Sequence, residues 1–190
     1  MPAPGSMVLV VDNGSSYTDD LAAVLEKFGC AYRRVIPSEI SAGDLPAYGG
    51  FILSGRKRND RLVNEVNSRV VRHAVSSGAK LLGICYGAEI MALCMGGTIR
   101  RSEIPQRNVR CAVKVSGATP ITPDAGASID VFESHAYEIS RLPPAFESVG
   151  GSHDCRHEII RYKGRDVYGT QFHPEMSRDG RLMVERFCGL

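Results

Sequence analysis

The sequence predicts an α/β fold, with a three-layer, flavodoxin-like, mostly parallel sheet, helices on both faces and additional antiparallel strands. Two observations predict this class. In the first half, short continuous apolar runs alternate with segments of helical period, which is the order of a parallel sheet covered on both faces. In the second half, short apolar segments follow one another with Gly, Pro and Ser between them, which indicates strands joined by turns.

The first half supplies most of the predicted parallel sheet. The helix at residues 62–75 has the clearest pattern, because an apolar residue recurs every four positions from Leu62 to Ala74. Glycine closes this helix at Gly78, as is common at helix ends. The predicted strands are residues 7–11, 31–36, 50–53 and 80–84, and the predicted helices are residues 17–28, 62–75 and 86–95.

The second half changes character. Its predicted strands are short, and only one helical pattern follows them. The predicted strands are residues 98–101, 109–115, 129–132, 158–162 and 166–172, and the predicted helix is residues 181–187. The chain contains no internal repeat or interdomain linker, so we expect a single domain over residues 7–190.

Length and charge limit the classes of function. The 190 residues carry a net charge of +2, which argues against nucleic acid or a membrane surface as a partner. No apolar run approaches the roughly 20 residues of a membrane span. Residues 1–6 lack the apolar core of a signal peptide. We interpret them as a cloning remnant before a native start at Met7.

Six cysteines are scattered without C-x-x-C pairs or the spacing of metal ligands. In a chain of this length without a secretion signal, they indicate a reducing cytoplasm and not a disulfide framework. His153 and His157 flank Cys155, but this spacing fits no common metal site. We therefore predict no metal ligands and no cofactor in this chain.

Cys85 is the strongest candidate for a chemical role. It ends an apolar run, has a glycine two residues away on each side and is followed at once by a helical pattern. This spacing is typical of a strand-to-helix nucleophile elbow, where flanking side chains must be nearly absent. We expect the turn to point the thiol into solvent and the helix N–H groups to favour the thiolate. A buried structural cysteine is the alternative.

His173 and Glu175 are the candidate base and orienting group that a cysteine nucleophile needs. His173 ends a predicted strand, and residues two apart share a face, so Glu175 can reach the imidazole. Pro174 restricts the backbone between them. A carboxylate on one ring nitrogen leaves the other nitrogen to face the sulfur. From this segment alone, a surface His-Pro turn is the alternative.

Taken together, these motifs resemble a known family. Gly-Ile-Cys-Tyr-Gly at residues 83–87 with Gln-Phe-His-Pro-Glu at residues 171–175 is similar to the class I (triad) glutamine amidotransferases. The tyrosine after the cysteine and the chain length most resemble the separate glutaminase subunits of archaeal GMP synthases. The resemblance covers residues 7–190 and implies the fold of that family.

The resemblance also implies a reaction and a partner. Cys85 would attack the side-chain amide of glutamine, and His173, oriented by Glu175, would transfer the proton. Ammonia would leave, and water would hydrolyse the thioester to glutamate. The ammonia would pass to an ATP-dependent synthetase that adenylates xanthosine monophosphate (XMP), with ATP and Mg²⁺ bound on that partner.

The oxyanion donors implied by the resemblance are the N–H of Tyr86 and an N–H in the loop of Gly55 and Arg56. The family form of this loop is Ser-Gly-Gly-Pro, and arginine does not adopt a positive φ cheaply. We therefore expect the loop to be held differently here, or to become competent when a partner docks.

The substrate pocket implied by the resemblance contains Glu89, Ser134, His135, Ala136 and Tyr137. The family has glutamine at the position of Glu89. A carboxylate there cannot donate to the substrate carboxylate and would repel it. The family pattern Ser-His-Gly-Asp reads Ser-His-Ala-Tyr at residues 134–137, and Ser134 with the backbone near Ala136 should still line the pocket.

Three other interpretations are compatible with the sequence. Glu89 favours a related Cys-His-Glu amide hydrolase, or an amidotransferase that serves another synthetase. The cationic loop at residues 56–61 favours a non-catalytic regulatory module on the same fold. Against such a module stands the complete set of Cys85, His173 and Glu175, for which a module without catalysis has no chemical need.

Overall fold

The structure is a computed structural model that describes residues 7–190, so the interpretation of residues 1–6 lies outside it. The strands of the described chain are β1 (Val8–Val11), β2 (Tyr32–Val35), β3 (Gly50–Leu53), β4 (Lys80–Ile84), β5 (Thr98–Val115), β6 (Ser128–Arg141), β7 (Phe146–Gly151), β8 (Ile159–Tyr162) and β9 (Val167–Thr170). The α-helices are α1 (Thr18–Lys27), α2 (Arg61–Ser77), α3 (Tyr86–Cys94) and α4 (Arg178–Cys188). Short 3-10 helices lie at Pro37–Glu39, Ala42–Ala47 and Pro174–Met176.

The strands form one mixed sheet in the order β2-β1-β3-β4-β9-β8-β7-β5-β6. From β2 to β9 all neighbours are parallel. From β9 to β6 all neighbours are antiparallel. The predicted fold class, a mostly parallel sheet extended by antiparallel strands, is confirmed.

The sheet separates two hydrophobic cores. Val8 and Val10 of β1 pack in one core with α1 and α4, and Leu9 and Val11 pack in the other with α2 and α3. All four side chains are buried, because alternate residues of a strand point to opposite faces and both faces are covered. Helices therefore lie on both faces, as the sequence predicts.

The helices of the first half begin and end where the sequence indicates. Asp60 caps α2, since its side chain accepts a hydrogen bond from the N–H of Val63 at 3.1 Å. Gly78 ends α2 with a φ of +80°, a conformation that glycine adopts without strain. Among residues 7–190, no helix is both long and apolar enough to cross a membrane.

The second half departs from the predicted elements. Residues 98–101 and 109–115 belong to one long strand, β5, and the predicted strand at 129–132 is part of the long strand β6. Three irregularities in the β5–β6 register interrupt the alternation of side chains, and Asn108 has a φ of +54°. Strand β7 was not predicted. Helix α4 begins at Arg178, earlier than predicted, because Ser177 caps it through the N–H of Gly180.

Gly83 and Gly87 allow α3 to pack directly against β3 and β4. A Cβ at Gly83 would lie 2.5 Å from the carbonyl carbon of Gly87 and 2.5 Å from Sδ of Met91. A Cβ at Gly87 would meet the carbonyl oxygen of Leu53. The glycines on each side of Cys85 are therefore required by close approach of the backbone, as an elbow demands.

Replacing Gly83 with alanine should destabilise the fold, because the new methyl group would contact backbone atoms of Gly87 that cannot move away cheaply. We expect the free energy of unfolding to fall by about 1–3 kcal/mol, as for other overpacked core sites. Urea denaturation measures this change. Gly43→Ala is the control, since its Cβ would meet nothing nearer than 3.8 Å, and its effect should stay below about 0.5 kcal/mol. Equal effects of the two substitutions would contradict this account.

Candidate active site

The candidate site lies at the carboxyl ends of β4 and β9, which are neighbours in the sheet. Ile84 and Thr170 are partners in the parallel register. The N–H of Cys85 then donates to the carbonyl oxygen of Thr170 at 2.7 Å. The turn at Cys85 and the segment at residues 171–175 therefore leave the sheet side by side, at the edge where open α/β sheets place their ligand sites.

Cys85 occupies the strained turn that its flanking glycines indicate. Its φ is +52° and its ψ is −107°, and it is one of two non-glycine residues with positive φ in the described chain. Such a conformation persists only where the surrounding structure holds it. Helix α3 begins at the next residue, Tyr86, so the thiol lies at the helix N-terminus as predicted.

The expectation of an exposed thiolate is wrong for this conformation. Cys85 is only 8% exposed. Burial raises the pKa of the thiol well above its ordinary value, and the negative charge of Glu89 raises it further. The N–H of Tyr86 acts in the opposite direction but does not overcome these effects. At neutral pH the thiol therefore keeps its proton unless a base removes it.

His173 and Glu175 form a buried pair. Nδ1 of His173 lies 2.9 Å from Oε1 of Glu175. The residues are 3% and 2% exposed. Because a carboxylate only accepts, the Nδ1–H donates and Nε2 is left for another partner. The imidazole ring of His173 packs edge-on against the ring of Tyr17, with centroids 4.5 Å apart. A Cβ at Gly55 would lie 2.9 Å from Cε1 of His173.

The loop at Gly55 and Arg56 is held by buried polar contacts. The N–H of Asn13 donates to Oγ of Ser54 at 2.9 Å, and the side-chain amide of Asn13 donates to the carbonyl oxygen of Ser54 at 3.0 Å. Arg56 does not have a positive φ, so arginine is accommodated there without backbone strain. Gly55 is needed for its close approach to His173.

The Arg56 side chain is anchored on the helices beside the site. Its guanidinium stacks over the ring of Tyr86, 3.8 Å from the centroid, and donates to Oδ1 of Asn64. The hydroxyl of Tyr86 donates to the same oxygen at 2.8 Å. Asn64 thus joins two of the predicted oxyanion residues, although sequence reasoning did not identify it.

A cavity of about 240 Å³ opens in front of Cys85. It brings together most of the residues predicted for the oxyanion loop and the substrate pocket, whereas the lining does not include Gly55, His173 or Glu175. The lining residues are Arg56, Lys57, Arg58, Asn59, Cys85, Tyr86, Glu89, Ser134, His135, Ala136 and Tyr137.

Glu89 is buried beside the thiol and is paired with Gln171. Nε2 of Gln171 donates to Oε1 of Glu89 at 3.2 Å and lies 4.0 Å from Sγ of Cys85. Burial raises the pKa of Glu89, while Gln171 and the charges of Arg56 and His135 act against this increase. The carboxyl of Glu89 is therefore protonated more readily than an exposed one, and the protonated form would not repel a substrate carboxylate.

The wall of the cavity is fixed by polar contacts from β6. Nδ1 of His135 lies 2.8 Å from the carbonyl oxygen of Tyr137, and its Nε2 faces Glu133. Burial lowers the pKa of His135, but the close contact with Glu133 and the charge of that residue outweigh burial, so the pKa is raised overall. His135 therefore lines the pocket with its ring directed away to an internal carboxylate.

Two residues that sequence reasoning missed connect His173 to this wall. The hydroxyl of Tyr17, whose ring packs on His173, donates to Oδ1 of Asn108 at 2.7 Å. Oγ of Ser134 donates to the same oxygen at 3.2 Å. The positive φ of Asn108 could have been anticipated only weakly, since asparagine tolerates that conformation better than most residues.

The fold and the site define a class of protein. A cysteine on a strained strand-to-helix turn, next to a parallel strand that leads into a buried histidine–carboxylate pair, is the arrangement of an α/β enzyme that uses a sulfur nucleophile. The sequence model of the class-I glutamine amidotransferases matches residues 9–187. The chain belongs to the class-I glutamine amidotransferase family.

Relatives and solved structures agree with this membership. A GMP synthase (glutamine-hydrolyzing) of Vibrio vulnificus is 33% identical over 191 residues, which cover 96% of this chain and 36% of the relative. The chain thus spans about a third of the length of the curated relatives that it matches. A Thermoplasma acidophilum protein, provisionally named as one subunit of GMP synthase, is 30% identical and superposes with a TM-score of 0.84, covering 96% of this chain and 92% of that one. A glutamine amidotransferase of Thermotoga maritima shares the fold. It is 18% identical and superposes with a TM-score of 0.72, covering 89% of this chain and 76% of that one.

Replacing Glu89 with glutamine should speed the alkylation of Cys85 by iodoacetamide. Because the charge of Glu89 raises the thiol pKa and the thiolate is the reactive form, removing the charge enlarges the reactive fraction. We expect the rate at about pH 8 to rise about threefold or more, the factor that roughly 0.7 kcal/mol of removed repulsion gives. In both proteins the rate should increase as the pH rises, since the raised pKa keeps the thiol protonated at neutral pH.

Peptide mass spectrometry measures this rate, with Cys94 of the same chain as the reference. Burial raises the pKa of Cys94, and Glu89 does not contribute there. A ratio of Cys85 to Cys94 alkylation that is the same in both proteins would show that Glu89 does not control the thiol.

Proposed function

We propose that this chain is a glutaminase subunit that hydrolyses glutamine to glutamate and ammonia and supplies the ammonia to a synthetase. The observation that carries the proposal is the arrangement of Cys85 beside the buried His173–Glu175 pair in a class-I glutamine amidotransferase. The cavity in front of Cys85 supports it, since polar and charged groups line that cavity.

In the proposed reaction, the Cys85 thiol gives its proton to Nε2 of His173 as the sulfur attacks the side-chain carbonyl carbon of glutamine. His173 returns the proton to the leaving nitrogen, the carbon–nitrogen bond breaks and ammonia departs. Water then hydrolyses the γ-glutamyl thioester, which releases glutamate and regenerates the thiol. The contact of Glu175 with Nδ1 supports this role, because it leaves Nε2 free for the proton.

Proton transfer to His173 is essential in this scheme. The raised pKa of Cys85 means that the free protein does not hold a ready thiolate. The nucleophile would therefore form only as His173 accepts the proton. The oxyanion of the tetrahedral intermediate would be bound by the N–H of Tyr86 and by an N–H of the loop at Gly55 and Arg56.

We propose GMP synthesis from XMP as the pathway and an XMP-adenylating, ATP-dependent synthetase as the partner. The GMP synthases that match this chain are about three times its length, and the Thermoplasma acidophilum protein has a comparable length and 30% identity. In this proposal ATP and Mg²⁺ bind on the partner, and amide hydrolysis uses no cofactor on this chain. A cytoplasmic location is part of the proposal and is supported by six free cysteines.

The second candidate is an amidotransferase for another synthetase, or a related amide hydrolase. Glu89 favours it, because a buried carboxyl group beside the thiol would prefer a substrate that offers a hydrogen-bond donor at that point. A non-catalytic regulatory module is the third candidate. It offers no reason for the strained backbone at Cys85.

Cys85→Ala should abolish glutamate release from glutamine. The assay couples glutamate to a dehydrogenase and is run on the chain alone and with an XMP-adenylating synthetase, ATP and XMP. We expect a loss of about 10³-fold or more, and a loss of about 10²-fold or more for Glu175→Gln, which keeps the size of the side chain but removes the charge that orients His173.

Cys94→Ala is the matched control, since Cys94 ends α3 and stands outside the cavity lining. Its activity should stay at the wild-type level. If the wild-type chain releases no glutamate in either setting, while the synthetase is active on added ammonia, the glutaminase proposal fails for that pair.

Glu89→Gln should lower the KM for glutamine. A glutamine at this position can donate to the substrate carboxylate and carries no charge to repel it. The initial rate of glutamate release against glutamine concentration gives KM and kcat separately. Glu89→Asp keeps the charge and should not lower the KM. An unchanged or higher KM in Glu89→Gln would contradict the repulsion by Glu89.

A further inference from the structure

A second group of reactive side chains lies behind the wall of the active-site cavity. Cys111 is on β5, Glu133 is on β6, and Glu158 directly precedes β8. Sγ of Cys111 and one oxygen of each carboxylate lie within 4.8 Å of one another. Cys111 is opposite Val131 in the β5–β6 register, and Val131 and Glu133 share a face of β6. The hairpin therefore aims the thiol and the first carboxylate at the same point.

The two carboxylates are buried without enough partners. Glu133 and Glu158 are each 1% exposed. Oε1 of Glu133 accepts from the thiol of Cys111 at 3.4 Å, and Oε1 of Glu158 accepts from Oγ of Ser152 at 2.7 Å. Within the described chain, Oε2 of both residues lacks a hydrogen-bond partner. Buried carboxylate oxygens are costly unless a hydrogen bond, a charge or a metal ion compensates them.

A protonated His135 can balance only part of the negative charge of the Glu133 and Glu158 carboxylates. Its Nε2 lies 3.0 Å from Oε2 of Glu133, although neither atom has a hydrogen bond of acceptable geometry. Its Nδ1 lies 2.8 Å from the carbonyl oxygen of Tyr137. One imidazolium can balance one carboxylate. For residues 7–190, no lysine or arginine forms an ion pair with Glu133 or Glu158.

The site also has an open side. A cavity of about 160 Å³ borders the three residues and is lined further by Cys155, Asp154 and other polar side chains. This volume exceeds what one water molecule needs. A bound ion would therefore have room for a solvent ligand and a path of entry.

We propose that Cys111, Glu133 and Glu158 bind one Zn²⁺ ion, with water in the fourth position. A thiolate with two carboxylates matches the sulfur and oxygen donors that zinc accepts in a tetrahedral site. The thiolate disfavours Mg²⁺ and Ca²⁺, which take oxygen ligands.

The proposed ion would brace the active site without entering its chemistry. It would link β5, β6 and the start of β8 through their side chains. The carbonyl oxygen of Glu158 accepts from the N–H of Gln171 at 2.8 Å, and Glu133 directly precedes Ser134 of the cavity wall. The sequence alone predicted no metal ligands, because the three residues come from three separate segments and have no local spacing.

The test counts zinc in purified chain that carries Cys85→Ala, so that the active-site thiol cannot bind metal. The protein is stripped with a chelator, loaded with Zn²⁺ and dialysed, and the metal is measured by mass spectrometry. We expect about one zinc per chain. Cys111→Ser and Glu158→Gln should each weaken zinc binding at least about tenfold. Cys94→Ser is the matched control, and its zinc content should not change.

Two further measurements separate loss of a ligand from loss of the fold. Zn²⁺ should raise the melting temperature of the protein, and Mg²⁺ at the same concentration should not. Glu158→Gln should lack the zinc-dependent increase, while its metal-free melting temperature stays at or above that of the parent, since the substitution removes a buried charge. Loading with Co²⁺ should give a thiolate-to-metal charge-transfer band in the near ultraviolet that disappears in Cys111→Ser.

Zinc content well below one per chain, or full zinc content in Cys111→Ser and Glu158→Gln, would overturn the proposal. A loss of zinc in Cys94→Ser equal to that in Cys111→Ser would also overturn it, because it would show non-specific binding to thiols. None of these outcomes depends on glutaminase activity, so the zinc site and the proposed function fail or stand separately.

Discussion

The parallel pairing of β4 with β9 is the constraint on which the candidate site depends. These strands are distant in sequence, yet the hydrogen bond from the N–H of Cys85 to the carbonyl oxygen of Thr170 continues their ladder beyond the last paired residues. This hydrogen bond marks the place where both segments of the site leave the sheet. The thiol follows one strand and the His173–Glu175 pair follows the other, so the rigid sheet sets their separation and the loops need not do so.

The sequence specifies the parallel half of the fold well and the antiparallel half poorly. Helix α2 and strands β3 and β4 follow from helical period, glycine punctuation and continuous apolar runs, because both faces of that sheet are buried. Strands β5 and β6 are largely exposed on one side and change register three times. Each irregularity interrupts the alternation of apolar and polar residues along these strands. From the sequence alone, one long bulged hairpin therefore looks like several short strands.

The candidate site was predictable in its parts and not in its electrostatics. Local patterns indicated Cys85, His173 and Glu175, since glycine spacing and a two-residue offset are local properties. The raised pKa of Cys85 depends on burial and on Glu89 reaching it across a helical turn. The anchoring of Arg56 on Asn64 depends on a contact between a loop and α2. Such effects arise from residues brought together by the tertiary fold, which a single sequence does not display.

The backbone conformation at Cys85 lowers the stability of the fold, while it places the thiol at the start of α3. Its φ of +52° belongs to a region where a side chain costs about 1–3 kcal/mol and glycine would cost little. The proposed nucleophile therefore lies at a position where the backbone conformation favours glycine. Glycine at this position would relieve the backbone strain but would remove the thiol. The turn therefore holds its side chain at a cost in backbone strain, which the packing of the surrounding fold must offset.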